Sequence, residues 1–168
     1  QTSGGGEVDK RQHYNRKPTY NALGQTKSFA EMELLSAQFG AWLLAKGNLV
    51  PGDKIAIQLP NLLQNPIAVY GALRAGLVIV NTNPLYTPTE MAHQFSDSGA
   101  KALVILEDFV PKYEEIKSQT QIQSVIVTAA DQMLSQQKST SGYPCFIQVF
   151  EEAKDLRLPV RPPISLDD

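Results

Sequence analysis

The stretch KIAIQLPNLLQNPIAVYGALRAGLVIVNTNPLYTPTE, residues 54–90, decides the fold. Lys54 to Leu59 has the isoleucine content of a strand; Pro51-Gly52-Asp53 leads into it and Pro60 ends it. A helix is expected from Pro66 to Ala75, with Asn65 as its cap, Pro66 in its first turn and Gly76 as its stop. Leu77 to Val80 is an apolar run of strand length. Thr87 stands three residues before Glu90, the spacing of a capping box, so a further helix begins there and closes at Gly99.

The alternation continues downstream. Lys101 to Leu106 reads as a strand, Phe109 to Ser118 as a helix and Ser124 to Thr128 as a strand. Strand and helix in strict succession, with runs such as LVIV and ALVIL, predict an α/β fold: a mainly parallel sheet with helices on both faces. Upstream, Ser28 and Glu31 repeat the capping-box spacing. Phe29, Met32, Leu35, Phe39, Trp42 and Leu43 follow at helical spacing as a core stripe, and Gly47 is expected as a left-handed stop. Pro18 to Ser28 reads as a short hairpin turning at Leu23-Gly24.

The flanks differ in character. Residues 1–13 are polar and glycine-rich and are expected to be a disordered lead-in or cloning remnant, and residues 14–134 hold the α/β core. Residues 135–144, with SQQKSTSG, read as a mobile polar loop. Residues 145–168 are expected to form one short element, around Phe146 to Lys154, and a proline-bearing extended connection to a region not present.

Composition narrows the function classes. The chain has 168 residues, 42% hydrophobic and 19% charged, with a net charge of −2. Such a balance argues against a domain devoted to nucleic-acid phosphates. Cys145 is the single cysteine, so no intrachain disulfide forms, as suits a reducing, cytoplasmic setting. No apolar run reaches the roughly 18 residues of a membrane-spanning helix.

Motif by motif, no catalytic constellation is complete. Gly71 to Gly76 has the glycine spacing of a phosphate loop, but Leu77-Val78 replaces the required lysine and hydroxyl residue. Helix packing at Gly71 and a helix stop at Gly76 account for both glycines. His13 and His93 lack acidic or cysteine partners at ligand spacing, so no metal site is expected. Cys145 lacks the context of a nucleophile. The helix beginning near Phe109 is a potential anion site, but Glu107 and Asp108 already stand at its start.

Two stretches carry a resemblance. Leu59 to Pro66, followed by Gly71 to Thr87, closely resembles bacterial long-chain fatty acid–CoA ligases of the adenylate-forming superfamily, which includes luciferases and peptide-synthetase adenylation domains. Ser28-Phe29-Ala30-Glu31-Met32 is similar to that superfamily's first core motif and Leu73 to Asn81 to its second. Ser96 to Leu103 and Leu106 to Phe109 extend the likeness, which runs from about Tyr14 to Asp168. The positions matching the family's framework are Ser28, Glu31, Pro60, Asn61, Arg74, Gly76, Asn81, Asn83, Pro84, Tyr86 and Thr87.

The resemblance implies the N-terminal part of the large domain of an AMP-forming ligase. Fatty acid, ATP and CoA would give acyl-CoA, AMP and pyrophosphate, with Mg²⁺ supporting the phosphate chemistry. The family's Ser/Thr/Gly-rich phosphate loop and its C-terminal domain have no counterpart here, so the chain alone is expected to be inactive and to bind none of these groups tightly. The alternative is a stand-alone, non-enzymatic interaction module derived from such a ligase.

Two departures qualify the match. Residues 135–142 are shorter than the often basic connection in long-chain ligases, which argues against a membrane-surface role there and leaves peripheral membrane contact of the full protein open. Some related short-chain ligases place arginines after the strand matching Lys101 to Leu106, against the CoA nucleotide. Here Glu107 and Asp108 follow, and Lys112 is the candidate CoA contact, beside its simpler reading as a solvated helix lysine. Without the rest of such a ligase, exposed sheet edge is expected to favour self-association or a homodimer.

Overall fold

Strand β1 (Thr19–Ala22) pairs antiparallel with β2 (Gln25–Ser28), Thr19 opposite Ser28, and the chain passes directly into helix α1 (Phe29–Ala45). The computed structural model describes residues 19–22, 25–130 and 141–158. The expectations for the hairpin turn at residues 23–24, the lead-in, residues 135–140 and the connection after residue 158 lie outside them.

Both capping boxes form as the sequence predicts. The Glu31 amide donates to Ser28 Oγ at 3.1 Å and the Ser28 amide to Glu31 Oε1 at 3.4 Å. At the helix that begins at Pro88 the reciprocal bonds join Thr87 and Glu90 at 3.0 and 3.2 Å. Hydrogen bonds from Ser28 and Thr87 hold both carboxyls below the ordinary glutamate value, as expected when donors favour the charged form.

After α1 come β3 (Lys54–Gln58), α2 (Gln64–Arg74), β4 (Val78–Asn81), α3 (Pro88–Ser98), β5 (Ala102–Leu106), α4 (Val110–Ile116), β6 (Ser124–Thr128) and α5 (Phe146–Ala153). The four later strands form one parallel sheet in the order β4-β3-β5-β6. Lys54 aligns with Val78, Ile55 with both Ile79 and Ala102, and Ala102 with Ser124.

Side-chain alternation divides the interior. Ile55, Ile57, Val104, Leu106 and Ile126 face a core shared with Phe39, Leu43, Ile67, Phe146 and Val149 of α1, α2 and α5. Ala56, Leu103, Ile105, Val125 and Val127 face a second core with Met91, Phe95, Tyr113 and Ile116 of α3 and α4. The connections obey the handedness rule: β3 to β4 moves outward one way with its helix on one face, and β4 to β5 then returns past β3 with its helix on the other.

Phe29, expected in the core stripe, is exposed, and three further details differ from the sequence expectation. Helix α2 starts at Gln64, and Leu63 caps it without a side-chain bond. Asn65 is turned backward instead, its Nδ2 donating to the carbonyls of Leu59 and Pro60 at 3.2 and 3.4 Å. Pro66 permits this earlier start because first-turn residues need no amide donor. Helix α1 stops without a left-handed Gly47; Asn48 takes that conformation at φ 56°. A Cβ on Gly47 would stand 2.7 Å from the Leu43 carbonyl oxygen, so glycine is needed there for closeness and not for handedness. The helix expected from Phe109 to Ser118 is a 3₁₀ turn (Glu107–Phe109), then α4, then a second 3₁₀ turn (Lys117–Gln119). Gly76 (φ 83°) and Gly99 (φ 69°) are left-handed stops, as the sequence reading requires.

Helices α1 and α2 touch backbone to backbone. A Cβ on Gly40 would stand 2.5 Å from the Gly71 oxygen, and one on Gly71 would stand 2.7 Å from the Ser36 oxygen. Gly71→Ala is expected to destabilise the protein by about 1–3 kcal/mol despite its better helix propensity, read as a lower urea midpoint. The Glu90 carboxyl carries a sign-defined pH dependence. Its depressed folded-state value makes its contribution present above 4.5 and lost as pH falls through that lower value. Glu90→Gln is therefore expected to flatten the loss of stability in that acid window, measured by thermal melts in a pH series.

Candidate functional site

In open parallel sheets, ligand crevices lie outside the carboxyl ends of strands whose outgoing connections diverge. Here β3 leaves through α2 toward β4 and β5 leaves through α4 toward β6, so the switch point lies between β3 and β5. The carboxyl end of the sheet holds buried polar side chains in place of the aliphatic ones found along the rest of the strands. Gln58, Gln64, Thr82 and Thr128 are all buried there.

Each of the two glutamines ties one layer to another. Gln64 at the start of α2 donates through Nε2 to Thr128 Oγ1 at 3.1 Å and to the Ala129 carbonyl at 2.9 Å, joining α2 to the end of β6. Gln58, the last residue of β3, donates to the Asn83 carbonyl at 3.3 Å. On α3, Gln94 donates to the Asn81 carbonyl at 2.9 Å. Gln58 Oε1, Gln64 Oε1, Thr82 Oγ1 and Gln94 Oε1 are buried with no hydrogen-bond partner among the described residues. The sequence reading passed over these groups. The available signal was a polar residue at the end of a buried apolar strand, as in Ile57-Gln58-Leu59 and Val127-Thr128.

The loop from Asn83 to Thr87 is held from three directions. Asn83 Oδ1 accepts from the Leu85 amide at 2.9 Å, and its carbonyl accepts from the Tyr86 amide at 3.1 Å as well as from Gln58. Lys112 reaches across from α4, its ammonium donating to the Tyr86 carbonyl at 2.8 Å and the Pro84 carbonyl at 3.3 Å. That ammonium also sits 4.5 Å from the centre of the Phe109 ring. Lys112 is thus a half-buried clamp on the loop, more engaged than the solvated lysine of its simpler reading.

The other framework positions fall in separate places. Pro60 and Asn61 leave β3, with Asn61 exposed, and Asn81, Asn83, Pro84, Tyr86 and Thr87 surround the end of β4. Arg74 and Gly76 lie at the opposite end of α2, where Arg74 pairs with Glu33 of α1 at 3.3 Å and the Gly76 carbonyl accepts from the Gly52 amide. Ser28 and Glu31 begin α1. Ser28, Glu31 and Thr87 thus serve caps, Gly76 a helix stop, Asn83 the loop after β4 and Arg74 an ion pair between helices.

A cluster of perturbed ionisable groups lies at the amino end of the sheet. Glu114 accepts from Tyr143 Oη at 2.6 Å and pairs with Lys117 at 2.6 Å. Lys117, then Tyr143, hold the Glu114 carboxyl low; burial first, then Glu114, pushes the Tyr143 phenol up; the bond Lys117 donates to Glu114 raises the lysine. Lys117 and Tyr143 border an open cavity of about 680 Å³ with Trp42, whose Nε1 donates to Glu152 at 2.8 Å. The bonds pin the segment before α5 and α5 itself to the rest of the fold.

The described residues do not fit the phosphates of ATP or its Mg²⁺. No group of three His, Cys, Asp or Glu side chains among them could hold a metal ion. Three of the four unsatisfied buried atoms at the carboxyl end are amide oxygens, which repel phosphate oxygens, the fourth being the Thr82 hydroxyl, and each left-handed glycine of the sheet domain closes a turn or a helix. No helix among the described residues is long and apolar enough to cross a membrane.

Comparison with known proteins agrees with the fold. The chain matches the family described as AMP-binding enzyme over residues 8–162. It is 44% identical over 127 residues to a long-chain-fatty-acid–CoA ligase of Yersinia pestis, covering 76% of this chain and 23% of that protein. A long-chain-fatty-acid–CoA ligase of Haemophilus influenzae is 44% identical over 130 residues, covering 77% of this chain and 23% of its own length. The chain thus spans about a quarter of the curated relatives it matches. A benzoate CoA ligase from Burkholderia xenovorans shares the fold, with a TM-score of 0.74 over 90% of this chain and 28% of that one at 22% identity.

Lys112→Met removes the ammonium from the two loop carbonyls while keeping most of the side-chain volume. It is expected to lower stability by about 1.5–3 kcal/mol, the scale of a charge-assisted bond. Limited proteolysis should then cut faster within residues 83–87.

Proposed function

Because the chain belongs to the AMP-binding enzyme family, we propose that it is the N-terminal portion of a long-chain fatty acid–CoA ligase and that its activity belongs to the longer protein. The observation that carries this reading is the 44% identity to the Yersinia pestis ligase across three quarters of the chain. The longer protein joins a fatty acid to CoA at the expense of ATP, releasing AMP and pyrophosphate, and uses Mg²⁺. The three unmatched amide oxygens at the carboxyl end support the view that the phosphate chemistry is supplied by other parts of such a protein. This portion supplies a framework, and we assign it to the cytoplasm.

Within that framework Lys112 has two proposed roles. Its clamp on the Pro84 and Tyr86 carbonyls makes it a positioning residue, and its remaining N–H is the one open to a CoA phosphate. In the longer protein, Lys112→Met raises the KM for CoA alone if the contact with CoA dominates. It lowers fatty-acid-dependent pyrophosphate exchange as well if positioning dominates.

The decisive experiment compares two polypeptides. The protein encoded by the complete source gene is expected to catalyse palmitate-dependent ATP–pyrophosphate exchange and to form palmitoyl-CoA. The 168-residue chain alone is expected to give no exchange above a boiled control. Exchange by the short chain would overturn its inactivity, and a complete protein inert with all fatty acids would overturn the ligase reading.

A further inference from the structure

Helix α4 carries Lys112, and little in its own backbone fixes where that side chain points. The helix runs for seven residues, its N-cap Phe109 makes no side-chain bond, and a 3₁₀ turn adjoins it at each end. So short a helix has no stability of its own, and its position is set by what its side chains hold. Val110, Tyr113 and Ile116 are its buried residues, a single stripe at three-residue spacing packed into the core of α3 and the sheet. Such a stripe resists lifting away from the core, but rotation about the helix axis is left for the flanks to fix.

The residues on either side of Tyr113 supply those flanks. Successive helical residues point about 100° apart, so Lys112 and Glu114 project from nearly opposite sides of α4. On one side Lys112 donates to the Pro84 and Tyr86 carbonyls of the loop after β4. On the other, Glu114 accepts from Tyr143 Oη at 2.6 Å. Tyr143 comes from a different part of the chain, and that part is seated on the sheet: the neighbouring Pro144 carbonyl accepts from the Val127 amide at 2.9 Å, and Cys145 bridges to Val127 of β6. The Tyr143 ring meets Tyr113 edge-on with 6.5 Å between centres, and Tyr113 meets Phe95 of α3 in the same way at 6.5 Å. Lys117 also pairs with Glu114, at 2.6 Å, but that ion pair lies within one stretch of chain.

We propose that Glu114 and Tyr143 are positioning residues for Lys112. The phenol holds one flank of α4 beside β6, and the ammonium on the opposite flank is thereby kept on the loop after β4. Without the phenol's bond, α4 is free to roll on its narrow stripe, and Lys112 is drawn off the two carbonyls. The proposal joins the two outer strands of the sheet, since a residue seated on β6 controls the loop that follows β4. It rests on the positioning role given to Lys112 above and names what orients that lysine.

The test is amide hydrogen exchange on the 168-residue chain, read by NMR at Leu85 and Tyr86, whose amides bond to Asn83 inside the clamped loop. Tyr143→Phe keeps the ring beside Tyr113 and removes only the hydroxyl. It is expected to speed exchange at both amides at least roughly fivefold. In the Lys112→Met chain the same substitution is expected to add less than about twofold, because the clamp it acts through is already gone. Glu152→Ala, which breaks a bond of similar kind between α1 and α5, is the control and should leave both amides unchanged. Loop amides indifferent to Tyr143→Phe, an acceleration just as large in the Lys112→Met chain, or an equal acceleration by Glu152→Ala would each overturn the proposal. Exchange reads the clamp itself, so a complete protein inert with fatty acids would sink the ligase reading and leave this result standing.

Discussion

Backbone contact between Gly40 and Gly71 is the constraint from which the remaining packing follows. With no side chain at either position, α1 lies close enough on α2 for the Gly71 oxygen to occupy the space of a Cβ. That approach brings Phe39 and Leu43 onto the sheet beside Ile67, and leaves Phe39 free to stack on Phe146 of α5 at 5.0 Å between ring centres. Trp42, on the same helix, fastens to Glu152. One helix thus gathers two others, and all three seal one face of the sheet. A larger residue at either glycine moves the entire layer, since helices packed at native density have little room to yield.

The carboxyl end of the sheet shows a different economy of atoms. Buried glutamines there use their amide nitrogens to bind neighbouring segments and leave oxygens unmatched, while Lys112 supplies the positive charge that fixes the loop after β4. These buried bonds fasten the carboxyl ends of the strands to the segments beside them.

Much of the architecture is legible in the residues themselves. The two capping boxes, the left-handed stops at Gly76 and Gly99 and the Ser124–Thr128 strand depend on local spacing, which a sequence displays directly. The start of α2 and the stop of α1 were misplaced because tertiary contacts decide them: Asn65 is drawn back to the β3 exit, and Gly47 lies against Leu43. The framework residues of the candidate site were visible as a family pattern, yet their grouping was not. Lys112 meets the loop after β4 only because α4 and α3 lie side by side on one face of the sheet. Gln58 and Gln64 were missed because a lone glutamine gives no periodic signal; only its burial marks it.

Strand order also bears on how the chain is made. β3 sits inside the sheet, with β4 on one side and β5 on the other, and the chain reaches β4 first. A polypeptide emerging from the ribosome can therefore close β3, α2 and β4 early, a unit made of short-range contacts. The second side of β3 must wait until residues 102–106 have been synthesised and have crossed over α3. During that interval Ile55, Ala56 and Ile57 keep a row of unmet backbone groups. Closing that side is the longer-range step, and long-range pairing is the slower kind.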